Sequence, residues 1–177
     1  MASILAFAGS NSSTSINFQL VRYTVSLVED HVVQLKDMAQ HPFPMYSADA
    51  QAHSGFTPAM EAFLEEVSWA QGIILSVNEH NGNPSAYFKN LMDWISRMDR
   101  KFMAGTRVFL MSTSGGKRGG SASLEVCREL LARFDAQVVS HFSLPGFHEN
   151  FGDGKLLDPA LREGHKKALD IFLDTLK

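Results

Sequence analysis

The sequence predicts an α/β fold, a parallel sheet with helices on both faces. Three observations predict it. Short apolar runs alternate about five times with segments of helical period. Ile73 to Val77 reads as a strand covered on both faces. Polar, turn-rich loops follow the first, third and fourth runs.

In chain order, Ile4 to Ala8 is a strand ending at Gly9, and Ile16, Leu20, Tyr23, Thr24 and Leu27 recur at helical spacing after Ser15. Val32 to Leu35 is a second strand. His41 to Gly55, with two prolines and little periodicity, is a long excursion. Thr57-Pro58 caps and opens a helix whose buried stripe is Met60, Phe63, Leu64 and Val67, stopping near Gly72. After the strand to Val77 comes the loop Asn78 to Pro84, then a helix to Ser96. Arg107 to Met111 is another buried strand, followed by the loop Ser112 to Gly120. The next helix carries Leu124, Cys127, Leu130, Leu131 and Phe134 on one face, Val138 to Phe142 is the last strand, and Leu161, Ala168, Leu169, Phe172, Leu173 and Leu176 stripe a closing helix.

At 177 residues and 45% hydrophobic, the chain suits one domain spanning 1–177 with a single core. Sixteen Lys plus Arg against 19 Asp plus Glu give a net charge of −3, without the basic excess of a nucleic-acid binder. No apolar run approaches the ~20 residues of a membrane helix, and the start Met1-Ala2-Ser3 lacks the charge of a signal peptide. The single cysteine, Cys127, forms no intrachain disulfide and lies on a helical apolar stripe, as a core residue does. These features lead us to expect a cytoplasmic protein with no nucleic-acid or membrane partner.

In open α/β sheets the ligand lies beyond the carboxyl ends of the strands, so the three polar loops should converge there. The first, Gly9 to Asn17, surrounds the free amides of a helix start with hydroxyls, a pattern that suits phosphate and is equally compatible with a loop that caps its own helix. Other phosphate-binding and hydrolytic motifs do not occur. Gly116-Lys117 is followed by Arg118, so there is no P-loop, and there is no G-x-G-x-x-G. The G-x-S-x-G elbow of a serine hydrolase is also missing. The seven histidines are dispersed and form no metal motif.

At these loops the chain resembles the NAD(P)H-dependent FMN reductase family, a flavodoxin-like group of quinone, azo-dye and chromate reductases. Gly9, Ser10, Ser15 and Asn17 are similar to its Gly-Ser-x-Arg-x-x-Ser-x-Asn phosphate motif, with Ser12 in place of the arginine. Asn78-Glu79-His80-Asn81-Gly82-Asn83-Pro84, followed by Phe88-Lys89-Asn90 and Asp93-Trp94, resembles Pro-Glu-Tyr-Asn-Gly-x-x-Pro and Leu-Lys-Asn-x-x-Asp-Trp, with Asn78 replacing proline and His80 tyrosine. The loop Ser112 to Gly120 and the segment Ser143-Leu144-Pro145 with Asn150-Phe151 resemble later family elements.

The resemblance implies a three-layer sandwich with a five-stranded parallel sheet of order 2-1-3-4-5. It implies FMN as cofactor, with NADPH or NADH as co-substrate and a small-molecule electron acceptor such as a quinone, azo dye or free flavin. The expected cofactor-binding residues are Ser10, Ser12, Ser15, Ile16, Asn17, Asn78, Glu79, His80, Asn81, Gly82, Thr113, Ser114, Gly115 and Gly116. The flavin carries the chemistry, so no side chain is expected to be catalytic, with His80 as an auxiliary and Gly82, Gly115 and Gly116 allowing close backbone approach to the ring.

A one-electron flavodoxin-type carrier and a flavin-binding sensor are competing readings. A carrier usually shields its ring with aromatics, and neither ring-facing loop has one. A homodimer or homotetramer is also implied, with Met45, Tyr46, Trp94, Phe102 and Met103 as candidate contacts, Trp94 equally suited to the core.

Overall fold

Residues 1–177 are described by a computed structural model. The five apolar runs form strands β1 (Ser3–Ala8), β2 (Val32–Lys36), β3 (Gly72–Val77), β4 (Arg107–Thr113) and β5 (Gln137–Leu144). All pair in parallel, in the order β2-β1-β3-β4-β5. This is the flavodoxin-like arrangement. Strand order reverses beside β1, where the first loop leaves the sheet.

The two faces follow from the alternation of side chains along each strand. Leu5 and Phe7 of β1 enter one core with α3 (Pro58–Trp69), α4 (Ala86–Met98) and α5 (Ser121–Ala132). Ile4, Ala6 and Ala8 enter the other with α1 (Ile16–Val25) and α7 (Pro159–Asp174). Strands β1 and β3 are therefore apolar on both sides, whereas the edge strand β2 is half exposed.

Most helix starts are set by local chemistry. Ser15, Ser47, Thr57, Ser85 and Asp158 each accept a first-turn amide, and Pro58 and Pro159 stand just inside their helices. The excursion His41 to Gly55 is more structured than expected: it follows a 3-10 turn at Met38–Gln40 and holds α2 (Ala48–Ser54), whose residues are all at least partly exposed. A second addition lies after β5, where α6 (Phe147–Asn150) and the antiparallel pair β6 (Phe151–Gly152) and β7 (Lys155–Leu156) precede α7.

Three of the residues expected to support self-association belong to the core instead. Trp94, Phe102 and Met103 are buried, Trp94 with its indole against Tyr46 and Phe56 and Phe102 against Phe134. Met45 is exposed, and Tyr46 is half-buried beneath Arg97. Cys127 is fully buried, and burial pushes its thiol up to about 12.

Candidate active site

The first loop is held at the rim of the sheet by its neighbours. The Gly9 amide donates to Ser76 O at 2.9 Å, and Ser85 Oγ donates to Gly9 O at 2.7 Å. A side chain at Gly9 would place its Cβ 2.8 Å from the Phe88 ring, so the loop lies close against α4 only because Gly9 has none. From there Ser10 Oγ accepts from the Ser12 amide, Ser12 Oγ from the Thr14 amide and Ser15 Oγ from the Phe18 amide. The amides of Ser10, Asn11, Ser13, Ile16 and Asn17 have no partner in the protein. Unmatched donors at the positive end of α1 suit a phosphate.

Asn17 has a different part from Ser10 and Ser12. It is buried, its Nδ2 donates to Thr113 O at 3.1 Å, and its Oδ1 accepts from Thr113 N at 3.0 Å and Ser76 Oγ at 2.7 Å. Its side chain therefore ties α1 to β3 and β4, and what it can offer a ligand is its backbone amide. Ser15 likewise spends its hydroxyl on capping α1.

In the middle loop His80 to Asn83 form a tight turn closed by His80 N to Asn83 O at 2.8 Å and Asn83 N to His80 O at 3.1 Å. Asn81 and Gly82 take φ of 54° and 77°, the conformation that an Asn-Gly pair adopts with least strain. The turn needs Gly82 for its own geometry, and its Cβ side is open. Asn78 Nδ2 approaches His80 Nε2 at 3.3 Å, while Asn78 Oδ1 is buried without a partner. Glu79 points away from the open rim: its Oε2 accepts the amides of Ala122 and Ser123 at 3.0 and 3.2 Å, and Ser123 Oγ donates to Asn78 O at 2.8 Å. A residue from another loop thus caps α5, whose own N-cap, Gly120, has no side chain to do so.

The third loop is tied to the segment after β5. Phe147 N donates to Ser114 O and Gly146 N to Gly116 O, both at 3.0 Å. Gly115 and Gly116 are exposed, with the His148 ring beside Gly115.

A cleft of about 550 Å³ opens between the first and middle loops. Ser10, Asn11 and Ser12 line it from one side, Asn78 and His80 from another, and Phe43, Met45, Tyr87 and Asn90 form an apolar-edged wall. Of the expected site residues the cleft brings together Ser10, Ser12, Asn78 and His80. Glu79 is engaged behind it, and Thr113, Ser114, Gly115 and Gly116 lie on the rim outside its lining. The aromatic wall was missed. Although the loops contain no aromatic residue, Phe43 and Tyr87 reach the cleft from the excursion and α4, and two prolines flanking Phe43 were its only trace in the sequence. Tyr87 OH donates to His41 O at 2.8 Å, and burial raises its phenol. A larger concavity, about 710 Å³, lies at the opposite end of the sheet, where Glu29, Asp30, Asp170 and Asp174 outnumber Lys177 and the Met1 amino group, away from the polar loops.

The profile of the NADPH-dependent FMN reductases matches residues 2–149, which takes in all three loops. The chain belongs to that family. It is similar to a quinone reductase of Escherichia coli, 33% identical over 97 residues that make up 55% of this chain and 52% of the relative. The chain thus spans about half the length of the first of the curated relatives it matches. An NADPH:quinone oxidoreductase of Arabidopsis thaliana is 28% identical over 94% of the chain and 87% of the relative. Among solved structures, an NADH:FMN oxidoreductase in its apo form shares the fold at a TM-score of 0.77 and 17% identity, covering 100% of this chain and 91% of that one. An FMN-dependent NADH-azoreductase of Bacillus anthracis in complex with FMN does so at 0.61 and 15%, covering 100% of each.

For a member of the FMN reductase family, the donor set fits the cofactor. The unmatched amides of the first loop suit a dianionic phosphate, and the cleft lies within the size range of small-molecule sites. The unpartnered Asn78 Oδ1 is a buried acceptor in the middle loop, beside the same cleft.

Proposed function

We propose that this chain is an NAD(P)H-dependent FMN oxidoreductase that reduces a small-molecule acceptor such as a quinone, an azo dye or free flavin. The observation that carries the reading is the set of unpartnered amides from Ser10 to Asn17 beside a cleft shared with Asn78 and His80, in a chain whose family is that of the FMN reductases. FMN, when bound, accepts hydride from a nicotinamide and passes electrons to the acceptor.

The chain's own residues bind and orient. Ser10, Asn11, Ser13, Ile16 and Asn17 offer backbone N–H groups to the phosphate, with Ser12 standing where a permanent cation would otherwise add to them. Asn17, through Ser76 and Thr113, and Glu79, through Ala122 and Ser123, hold the three loops at fixed spacing. Ser114, Gly115 and Gly116 of the third loop, which Thr113 anchors to Asn17 and Leu144, and the Asn81-Gly82 turn of the middle loop would offer backbone groups to the flavin. His80, exposed and beside Asn78, is placed to hold or move a proton near the reacting ring. A homodimer or homotetramer in the cytoplasm completes the reading.

Anaerobic addition of NADH or NADPH to the yellow protein tests it. Rapid bleaching of the flavin band is expected. A flavin that stays oxidised with both donors contradicts reductase function and leaves a carrier or sensor.

A further inference from the structure

The two edges of the sheet are unlike. At β5 the exposed side chains, Gln137 and His141, are polar, and the pairing with β4 carries a register shift at Val108/Phe109, features that discourage a further strand. At β2 the exposed side chains are Val32 and Leu35, the pairing with β1 is regular, and no proline interrupts it. The one charge within that strand, Lys36, is turned back to α3, its Nζ donating to Glu66 Oε1 at 2.9 Å. Helix α1 packs over β1 and β3 and leaves the Leu35 side of β2 uncovered.

The backbone completes the pattern. Val32 N donates to Ala2 O at 3.0 Å, so Val32, Gln34 and Lys36 turn their amides and carbonyls to β1. Successive residues of a strand point these groups to opposite sides, so Val33 and Leu35 turn theirs outward, each with one donor and one acceptor, beyond the last strand of the sheet.

A second copy satisfies all of them in a single register. A two-fold axis normal to the sheet at Gln34 sets the two β2 strands antiparallel, with Val33 opposite the partner's Leu35, Gln34 opposite the partner's Gln34 and Val32 opposite the partner's Lys36. The Val33 and Leu35 pairs exchange their backbone bonds and cover each other's side chains, and Lys36 comes diagonal to the partner's Asp30. A parallel alignment would set Lys36 against the partner's Lys36, and sliding the antiparallel copy by two residues pairs Val33 or Leu35 with His31 or Asp37, outside the strand.

We propose that the edge strand β2 is a self-association surface, which pairs antiparallel about Gln34 with β2 of a second copy and joins the two five-stranded sheets into one. The inference rests on the homo-oligomer of the reading above, for which it names the surface, and needs neither flavin nor nicotinamide.

Sedimentation velocity of the full chain at micromolar concentration tests it. The wild type should be a dimer or tetramer. Leu35→Lys, which sets a cation opposite the partner's Val33, and Leu35→Pro, which removes an outward donor without touching the bonds to β1, should each halve the mass, whereas Leu35→Ile should not. The register is read by crosslinking. A non-hydrogen-bonded antiparallel pair holds its Cα atoms about 4.5 Å apart, within disulfide reach, so Gln34→Cys should join two copies under mild oxidation, while Val32→Cys, about 14 Å from its counterpart, should not. The buried Cys127 does not compete. Circular dichroism checks folding, and if both Leu35 variants fail to fold, the crosslinking decides. A wild-type oligomer whose mass is unchanged in the folded Leu35 variants, or which crosslinks no faster through Gln34→Cys than through Val32→Cys, overturns the inference alone. A monomeric wild type overturns the homo-oligomer and the inference with it, while bleaching by nicotinamide tests the reductase chemistry separately.

Discussion

Asn17 at the start of α1 and Thr113 at the end of β4 exchange two hydrogen bonds, the Asn17 side-chain amide serving as the strand-like partner of the Thr113 backbone. With Ser76 bonded to the same Oδ1, one buried residue sets where the first loop stands relative to the third. Asn17→Ala leaves the Thr113 N–H and C=O and the Ser76 hydroxyl unmatched, so it should destabilise the protein by about 2–4 kcal/mol. Urea unfolding checks this. FMN affinity should fall with stability, and a variant of normal stability that loses FMN would instead make the Asn17 side chain a direct ligand contact.

The phosphate end can be probed by charge. Ser10→Glu places a like charge beside the unmatched amides and should weaken FMN far more than riboflavin, which lacks the phosphate. Ser12→Arg should do the reverse and tighten FMN severalfold with little change for riboflavin. Fluorescence titration with both ligands reads each outcome, and equal changes for the two contradict the assigned orientation.

His165 on α7 is fully buried among Tyr23, Phe109 and Phe142. Thr24 Oγ1 donates to Leu20 O and lies 2.9 Å from His165 Nε2, which assigns the ring proton to Nε2 and leaves Nδ1 bare and unpartnered. Burial lowers the imidazole pKa to about 4. Because the folded value lies below the unfolded one, the unfolded chain binds the extra proton between about pH 4 and 6.5. The stabilisation is therefore present in full above 6.5 and is lost as pH falls toward 4, with about 2 kcal/mol gone between pH 7 and 5. Denaturant midpoints across that range should show a decline that is markedly shallower in His165→Phe. The same slope in both proteins would mean that His165 is not its source.

Cys127 should be inert in the folded protein, since burial among apolar side chains suppresses the thiolate that reacts. A disulfide reagent should label it only at the rate of unfolding, and fast labelling under native conditions contradicts its place in the core.

Much of the fold was legible because its causes are local. The apolar runs at Ile4 to Ala8 and Ile73 to Val77, the Thr57-Pro58 start and the Asn81-Gly82 turn each carry their own signal, and the structure realises each. The α2 helix was not legible because it buries no residue and so has no stripe. The aromatic wall was hidden because Tyr87 meets His41 across forty-odd residues, leaving no periodicity to read. Trp94, suited by sequence alike to the core or to self-association, lies in the core because its indole N–H finds a partner in Pro44 O, fifty residues away in the chain. Glu79 stands among the expected cofactor-binding residues by its motif, and its side chain also caps a helix forty-three residues further on, a contact with no trace in the local sequence.

The central claim is that the loop from Gly9 to Asn17 seats the phosphate of a flavin mononucleotide, and the most direct measurement is to denature the purified protein and identify what is released. A yellow compound with the mass of FMN is expected, in near-equal amount to the chain, or stoichiometric uptake of added FMN if it was lost in purification. A colourless protein that ignores added FMN, or one that binds riboflavin equally well, contradicts it.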